Sequence, residues 1–208
     1  MGELRAALKE SFAGHGRIVM LMGEPGIGKT RTAEELASHA ETQGAQVLWG
    51  RCYEEDGAPS YWPWVQAIRS YVEPRNSDQL QVDLGPNAAD FAEIVPEIRR
   101  KLTDLETPPD LPPEQARFRL FESITSFLKT LARSKPIMLV LDDLHWADEP
   151  SLLLLQFLAQ QLADSHILVV GCYRDVELSR QHPLSETLAR ISREADYQRH
   201  ALRRMGPG

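Results

Sequence analysis

Four short, mainly apolar runs recur along the chain, and longer segments with helical spacing separate them. Three of the runs, at 18–22, 137–141 and 167–173, are nearly continuous in apolar residues, and a fourth spans 46–52. Continuous apolar runs of this length are typical of strands covered on both faces, as in a parallel sheet. Because the strands alternate with helical segments, the pattern predicts an α/β fold: a three-layer sandwich with a mostly parallel sheet.

The helical segments show apolar residues that recur every three or four positions. Pro96 falls inside one of them, where it must kink the helix or stand in its first turn. Residues 73–90 lack a clear period and indicate a loop, and the polar residues after Ile191 indicate a tail. The predicted helices cover 3–13, 29–43, 61–72, 91–102, 114–131, 151–163 and 184–191.

The charge balance bears on possible partners. The 208 residues carry a net charge of −7, which argues against direct binding of nucleic acid. A group of arginines near the end of the sequence favours a solvated, frayed terminus over a nucleic-acid contact. These are Arg190, Arg193, Arg199, Arg203 and Arg204.

Other features bear on the compartment. The longest apolar run is too short to span a bilayer, and a mixed-charge helical pattern rather than a signal peptide opens the sequence. Cys52 and Cys172, the two cysteines, are predicted to be buried free thiols. The sequence thus predicts a cytoplasmic protein without membrane contact.

The segment after the first predicted strand fits the pattern G-x-x-x-x-G-K-[ST] and opens a helix. Its glycines let the backbone aim N–H groups at phosphate oxygens, and the helix dipole adds positive potential. Lys29 supplies charge to the β- and γ-phosphates, and the Thr30 hydroxyl can ligate Mg²⁺. The predicted nucleotide-binding residues are Gly23, Glu24, Pro25, Gly26, Ile27, Gly28, Lys29 and Thr30.

Two adjacent carboxylates, Asp142 and Asp143, end the predicted strand at 137–141. Such a pair at the end of a buried strand is unfavourable unless a positive group lies nearby. In a parallel sheet the carboxyl ends of the strands line the ligand crevice, so Asp142 is predicted to reach the magnesium ion. For Asp143, orienting or deprotonating an attacking water and lying in a solvated turn stay open as alternatives.

Arg174 ends the next predicted strand, where its guanidinium is placed to point at the γ-phosphate and report its loss. The alternative is a surface arginine paired with Asp175. For His145, contact with the nucleotide and a structural hydrogen bond stay open. Trp49, Trp62 and Trp64 are predicted to pack in the core rather than to stack on a base.

Three strings together resemble one group of ATPases. They are Gly-Glu-Pro-Gly-Ile-Gly-Lys-Thr-Arg from Gly23, Leu-Asp-Asp-Leu-His-Trp-Ala-Asp from Leu141, and Cys-Tyr-Arg-Asp from Cys172. The chain resembles the AAA-type P-loop ATPase module of STAND proteins, the signal-transduction ATPases with numerous domains. Within these it is most similar to large LuxR-type regulators and to cyclase- or kinase-linked sensors.

The resemblance implies ATP rather than GTP, a Mg²⁺ ion, and slow hydrolysis that acts as a switch in signalling or transcription control. It implies that Lys29 and Thr30 hold phosphate and magnesium, Asp142 the metal and Asp143 the water. Arg174 takes the sensing role, and Arg31, the last residue of the first string, joins the nucleotide-binding set.

The expected organisation is one domain over 1–208, with a nucleotide-binding core at 14–175 and a helical insert at about 61–133. Relatives carry a Val-Gly-Arg-Glu-like segment before the first helix and continue into a winged-helix domain. The sequence lacks both, so we expect a domain truncated at both ends. Expected partners are ATP, other domains of a longer parent and further copies of the chain.

Other functions remain as alternatives. One alternative is a module that holds nucleotide without turning it over, and another is an inactive fragment of a larger ATPase. A small-molecule kinase would need an arginine-rich lid, which the sequence does not indicate. A replication-initiator-like DNA ATPase shares the architecture, but the net charge of −7 weakens it.

Overall fold

A five-stranded parallel sheet lies between two layers of helices. The structure is a computed structural model that describes residues 1–54, 58–175, 178–179 and 181–202. The strand order is β2-β3-β4-β1-β5, and this confirms the predicted α/β fold with a mostly parallel sheet. The strands are β1 (Arg17–Met22), β2 (Gln46–Arg51), β3 (Ile137–Asp142), β4 (Ile167–Tyr173) and β5 (Tyr197–Ala201).

Nine α-helices are found among the described residues. They are α1 (Gly2–Phe12), α2 (Lys29–Thr42), α3 (Trp62–Val72), α4 (Ser77–Leu84), α5 (Ala88–Ile94), α6 (Glu97–Lys101), α7 (Pro113–Ser134), α8 (Glu149–Ala159) and α9 (Pro183–Glu194).

Alternating residues of the central strands fill two hydrophobic cores. Val19 and Leu21 of β1 belong to a core shared with α1 and α2, whereas Ile18 and Met20 face the larger core formed with α3 to α9. All four side chains are fully buried. The strands are therefore covered on both faces, which explains their continuous apolar sequence.

The helices between β2 and β3 differ from the prediction, because 73–90 is mostly helical rather than a loop. In α4, Asn76 and Gln79 form a reciprocal capping box, and Leu80 and Leu84 are buried one turn apart. The break at Pro96 was anticipated: α5 ends at Ile94, and Pro96 is the N-cap of α6 rather than a kink in one helix.

The prediction of a polar tail after Ile191 is also wrong. Tyr197–Ala201 forms β5, an edge strand that pairs in parallel with β1. Its backbone, rather than an apolar face, attaches it to the sheet, so a mainly polar sequence is tolerated there. Arg190, Arg193 and Arg199 are exposed but belong to α9 and β5, so they are not part of a frayed end. Arg203 and Arg204 lie outside the described residues.

Both cysteines are buried free thiols, as predicted. Trp64 is 1% exposed, and its indole N–H donates to the Ser151 carbonyl at 3.1 Å, while Trp49 and Trp62 are partly buried and pack against the cores. In the described part of the chain, every helix is too short or too polar to cross a membrane.

Candidate nucleotide site

The predicted site residues follow strands that end at one edge of the sheet. Met22 of β1 pairs with Tyr173 of β4, so Gly23 and Arg174 leave the sheet at neighbouring positions. On the other side of β4, β3 ends with Asp142, which pairs with Arg51 of β2. The phosphate loop and the two carboxylates therefore meet at the same edge, as the sequence predicts.

The phosphate loop, residues 23–30, turns directly into α2. Gly28, the N-cap of α2, has φ +102°, a left-handed conformation that glycine adopts without strain. A glycine has no side chain with which to cap the helix, so the first-turn amides at Lys29 and Thr30 are left to other acceptors. Together with the helix dipole, they provide a positive potential that favours an anion.

Lys29 lies in the first turn of α2 with only 7% of its surface exposed. Its Nζ donates to the carbonyl oxygens of Gly23 at 2.8 Å and Glu24 at 2.9 Å. Both acceptors are neutral, so neither compensates the positive charge of the ammonium. This charge can pair with a phosphate.

Thr30 connects the phosphate loop to the carboxylate edge. Its Oγ1 donates to Asp142 Oδ2 at 3.0 Å across 112 positions of sequence. Asp142 is 1% exposed. Burial, followed by the charge of Asp143, raises the pKa of Asp142, and the Thr30 hydrogen bond and the Arg51 charge oppose the rise only in part. The fold thus holds a carboxylate that lacks full charge compensation, which is favourable for binding a cation.

Asp143 adopts a left-handed conformation at φ 56° and ψ 41°, which aspartate tolerates better than most residues. Its N–H donates to Asp142 Oδ1 at 3.0 Å. This turn moves the chain away from the sheet directly after the strand, so the two adjacent carboxylates can both lie at the edge.

Arg51 bridges the two carboxylates. Its Nη2 lies 3.3 Å from Asp142 Oδ2 and its Nε 3.2 Å from Asp143 Oδ2, and its side chain is 44% exposed. Gln66 of α3 accepts from the Arg51 N–H at 3.0 Å and donates to its carbonyl at 3.2 Å. Arg51 is thereby fixed from both its strand and the following helix.

A close approach between β2 and α3 makes this arrangement possible. A Cβ atom added at Gly50 would lie 1.9 Å from the Pro63 carbonyl oxygen, so only glycine lets α3 come so near to the strand. Reasoning from the sequence missed Arg51 as a site residue. Its position as a basic residue ending a strand was the available signal, but the pairing of β2 with β3 was needed to interpret it.

The remaining predicted site residues are more exposed. Glu24, Pro25 and Gly26 face solvent at the top of the loop. The Arg31 side chain is 84% exposed and lies 3.8 Å from the Glu34 carboxylate. Arg174, directly after β4, is partly exposed.

His145 is buried in a short 3-10 turn, Leu144–Trp146, behind the carboxylates, where its ring centroid lies 5.0 Å from that of Trp146. The structure therefore places His145 against an aromatic side chain on the segment that follows Asp143. This packing fits a structural role for the ring.

A cavity of about 820 Å³ opens beside the phosphate loop. Gly26, Ile27 and Thr32 line one side of it, and Leu4 of α1 and residues 199–202 around β5 line the other. Its volume is within the range of small-molecule and cofactor sites. The missed strand β5 thus forms part of the wall of the cavity beside the phosphate loop.

A magnesium ion fits the residues present. Within the residues that the structure describes, no group of three or more His, Cys, Asp or Glu side chains is arranged to hold a metal by itself. Mg²⁺ usually takes only one or two protein ligands, with phosphates and waters completing its shell. The Thr30 hydroxyl and the Asp142 carboxylate, already in contact, are of the type that such a shell uses.

Comparison with known proteins places the chain in a family. It matches the family described as AAA ATPase domain over residues 1–170. An uncharacterized protein of Rhizobium meliloti (strain 1021) is 23% identical in an alignment 180 residues long that covers 78% of this chain and 17% of that protein. The chain thus spans about a sixth of the length of this relative.

Two solved structures are similar at low identity. Drosophila ORC bound to GC-rich DNA and Cdc6 matches with a TM-score of 0.48 and 13% identity, covering 99% of this chain and 59% of that one. C. elegans PCH-2 matches with a TM-score of 0.46 and 12% identity, covering 98% and 41%. On the family match, which covers most of its length, the chain belongs to the AAA ATPase domain family.

Proposed function

We propose that this domain binds ATP with Mg²⁺ and hydrolyses it slowly, as a switch in a signalling or transcription-control protein of the STAND type. The observation that carries the proposal is the 3.0 Å contact between Thr30 Oγ1 and Asp142 Oδ2. It joins a phosphate-binding loop to a buried carboxylate, which is the combination that a nucleotide with its metal ion requires.

Each residue of the site has a role in this proposal. The first-turn amides of α2 and the Lys29 ammonium hold the β- and γ-phosphates. Thr30 and Asp142 hold the metal ion, which when bound neutralises charge on the phosphate oxygens. Arg174, beside Gly23 at the sheet edge, responds to loss of the γ-phosphate.

Hydrolysis would use Asp143 as the base. A water oxygen attacks the γ-phosphorus, the bond from phosphorus to the β–γ bridging oxygen breaks, and the water proton passes to the Asp143 carboxylate. Lys29 balances the charge that develops on the leaving phosphate. The products are ADP and inorganic phosphate.

The nucleoside would extend from the phosphates into the 820 Å³ cavity beside the loop. Its walls at Ile27, Leu4 and Ala201 combine apolar surface with backbone groups, as binding sites for flat heterocycles commonly do. ATP rather than GTP is proposed from the resemblance to STAND modules and from the absence of an Asn-Lys-x-Asp motif in the sequence.

The context of the domain is likewise proposed. Because the chain spans only 17% of its Rhizobium relative, we infer that it works with other domains of a longer parent protein. We also propose that this protein is cytoplasmic and that copies of the domain associate. Its net charge of −7 supports a role without direct nucleic-acid contact.

A second candidate function is nucleotide binding without turnover. Arg51 Nε lies 3.2 Å from Asp143 Oδ2, and a carboxylate paired with a guanidinium is a poor base. If Arg51 stays in place when nucleotide binds, Asp143 cannot take the proton of a water.

Phosphate release from ATP, measured together with ATP affinity, separates the two functions. We expect slow release by the wild-type domain and a loss of about 100-fold or more in Asp143→Asn, the lower end of the effect of removing a general base, with ATP affinity within about threefold. Asp164→Asn, an exposed acid before β4, is the matched control. Tight ATP binding without release by the wild type would support the second function, and absence of ATP binding would refute both.

A further inference from the structure

A second cleft, of about 440 Å³, lies outside the residues assigned to the nucleotide. We propose that this cleft binds an organic cation, a guanidinium or alkylammonium group. Its walls come from residues 52–54, 58, 62 and 63 around the end of β2 and the start of α3, from residues 145–148 after the carboxylate pair, and from the start of α9 at His182 and Pro183. Its volume is within the range of sites for small ligands.

Aromatic rings give the cleft its affinity for a cation. Tyr53, Trp62 and Trp146 line it, and Tyr53 is 49% exposed. The face of an indole or phenol ring carries negative potential that attracts guanidinium and ammonium groups. Trp62 already accepts one such group, because the guanidinium carbon of Arg69 lies 5.4 Å from its ring centroid.

The charged side chains that line the cleft are acidic, and Arg69, which lies against Trp62, is already paired with Glu97 at 3.0 Å. Glu54 and Asp148 contribute carboxylates, and among the cleft residues that the structure describes there is no lysine or arginine. These carboxylates would repel an anion and can pair with a cation.

Asp148 is held in place before any ligand arrives. Its Oδ1 accepts from the Ser151 N–H at 2.9 Å and the Tyr61 N–H at 3.3 Å, and its Oδ2 accepts from the Ser151 hydroxyl at 2.6 Å. Neutral donors make all three bonds, so none of them compensates the negative charge of the carboxylate. A fixed acid beside two tryptophans is a preorganised receptor for a cation.

An occupant of the cleft would touch two segments that also build the carboxylate edge. Residues 145–148 are separated from Asp143 by Leu144 alone, and the Cys52 N–H donates to the Asp142 carbonyl at 2.9 Å. The cleft is nevertheless complete without nucleotide, so its ligand can be tested whether or not the domain binds ATP.

The test is titration of the nucleotide-free chain with argininamide and with citrullinamide, its neutral near-isostere, by calorimetry and tryptophan fluorescence at pH 8. Unperturbed histidines are neutral at this pH. We expect saturable argininamide binding in the millimolar range and at least about tenfold weaker binding of citrullinamide. Equal binding of the two compounds, or no saturation by about 20 mM, would overturn the proposal.

Two variants locate the site. Glu54→Gln removes an exposed carboxylate and leaves packing unchanged, and Trp146→Leu removes a ring. Each variant should bind argininamide about fivefold more weakly than the wild type. The matched control is Glu149→Gln, an exposed acid one residue beyond the lining, with unchanged affinity. Thermal melting identifies any variant that fails to fold. Unchanged affinity in a folded Glu54→Gln and a folded Trp146→Leu would overturn the assignment to this cleft.

A blocked peptide with a single arginine distinguishes the sources of the cation. Tighter binding of the peptide than of argininamide would assign the cleft to a side chain of a partner protein. Weaker binding of the peptide would assign it to a small free cation.

Discussion

Lys29 and the Asp142–Asp143 pair carry opposite charges at one edge of the sheet, and the fold holds them in different ways. The Lys29 ammonium rests on two neutral carbonyl oxygens, at 2.8 and 2.9 Å. The two carboxylates share a full positive charge, the Arg51 guanidinium, at 3.3 and 3.2 Å. In the proposed site, the phosphate side (Lys29 and the first turn of α2) is thus ready for an anion, whereas the metal side (Asp142 and Asp143) already has a cation.

This difference implies that the affinities for phosphate and for metal are set in different ways. A phosphate can take over Lys29 by displacing neutral partners, which are weaker than charged ones. A magnesium ion must compete with Arg51 for Asp142. We therefore expect the affinity for the phosphates to be built in, and the affinity for the metal to depend on how readily Arg51 gives way.

The largest expected effect follows from removing the cation of the phosphate side. Lys29→Ala should weaken the binding of ATP by at least about 100-fold, because a buried ammonium and its charge-assisted hydrogen bonds to phosphate are lost. Calorimetric titration with ATP and Mg²⁺ measures it. Lys135→Ala, an exposed lysine just before β3, is the control. Affinity like that of the wild type in Lys29→Ala would show that the phosphates bind elsewhere.

A smaller effect is expected from removing the internal cation of the metal side. Arg51→Gln should lower the Mg²⁺ concentration that half-saturates ATP binding by about threefold to tenfold, because partly exposed ion pairs contribute on the order of 1 kcal/mol. Titrating Mg²⁺ at fixed ATP measures it, with the exposed Arg133→Gln as control. A higher Mg²⁺ requirement in Arg51→Gln would mean that Arg51 helps to build the metal site.

The smallest effect concerns stability without ligands. Burial and the charge of Asp143 raise the pKa of Asp142 in the folded protein. In the window of pH values between the ordinary and the raised pKa, the folded state therefore holds a proton that the unfolded state has released. Stability contributed by this group is present below the window and is lost as pH rises through it. Asp142→Asn should therefore raise the melting temperature at pH 7.

Melting curves of Asp142→Asn and the wild type between pH 4 and pH 7 test this prediction. We expect the two curves to converge as the pH falls. A lower melting temperature of Asp142→Asn at pH 7 would mean that the bonds from Thr30 and Arg51 outweigh the burial of the charge.

The same contrast explains how far the sequence could predict the site. The phosphate loop is local: a strand, glycines, a lysine and a helix follow one another within 17–42, so its position could be read directly. The metal side joins residues far apart. The strand end at Asp142 marked the carboxylates, but Arg51 reaches them only because β2 pairs with β3, which sequence spacing does not reveal.

The fold shows a similar division. Central strands such as β3 and β4 are fully buried and were found from their apolar runs. The edge strand β5, Tyr-Gln-Arg-His-Ala, is held by its backbone and has a polar sequence, so the pattern did not reveal it. Helix α4 was missed because only Leu80 and Leu84 are buried in it, while Val82 is 82% exposed. The Asn76–Gln79 capping box was the signal that would have predicted it.

The central claim is that the phosphate loop and the carboxylate edge form one site for ATP with Mg²⁺. The most direct measurement is the affinity of the wild-type chain for ATP with Mg²⁺ and with a chelator in its place. We predict binding in both conditions, tighter with Mg²⁺ by about tenfold, since Asp142 and Thr30 contribute only when the metal is present. Equal affinity with and without Mg²⁺, or no ATP binding by a folded chain, would contradict the account.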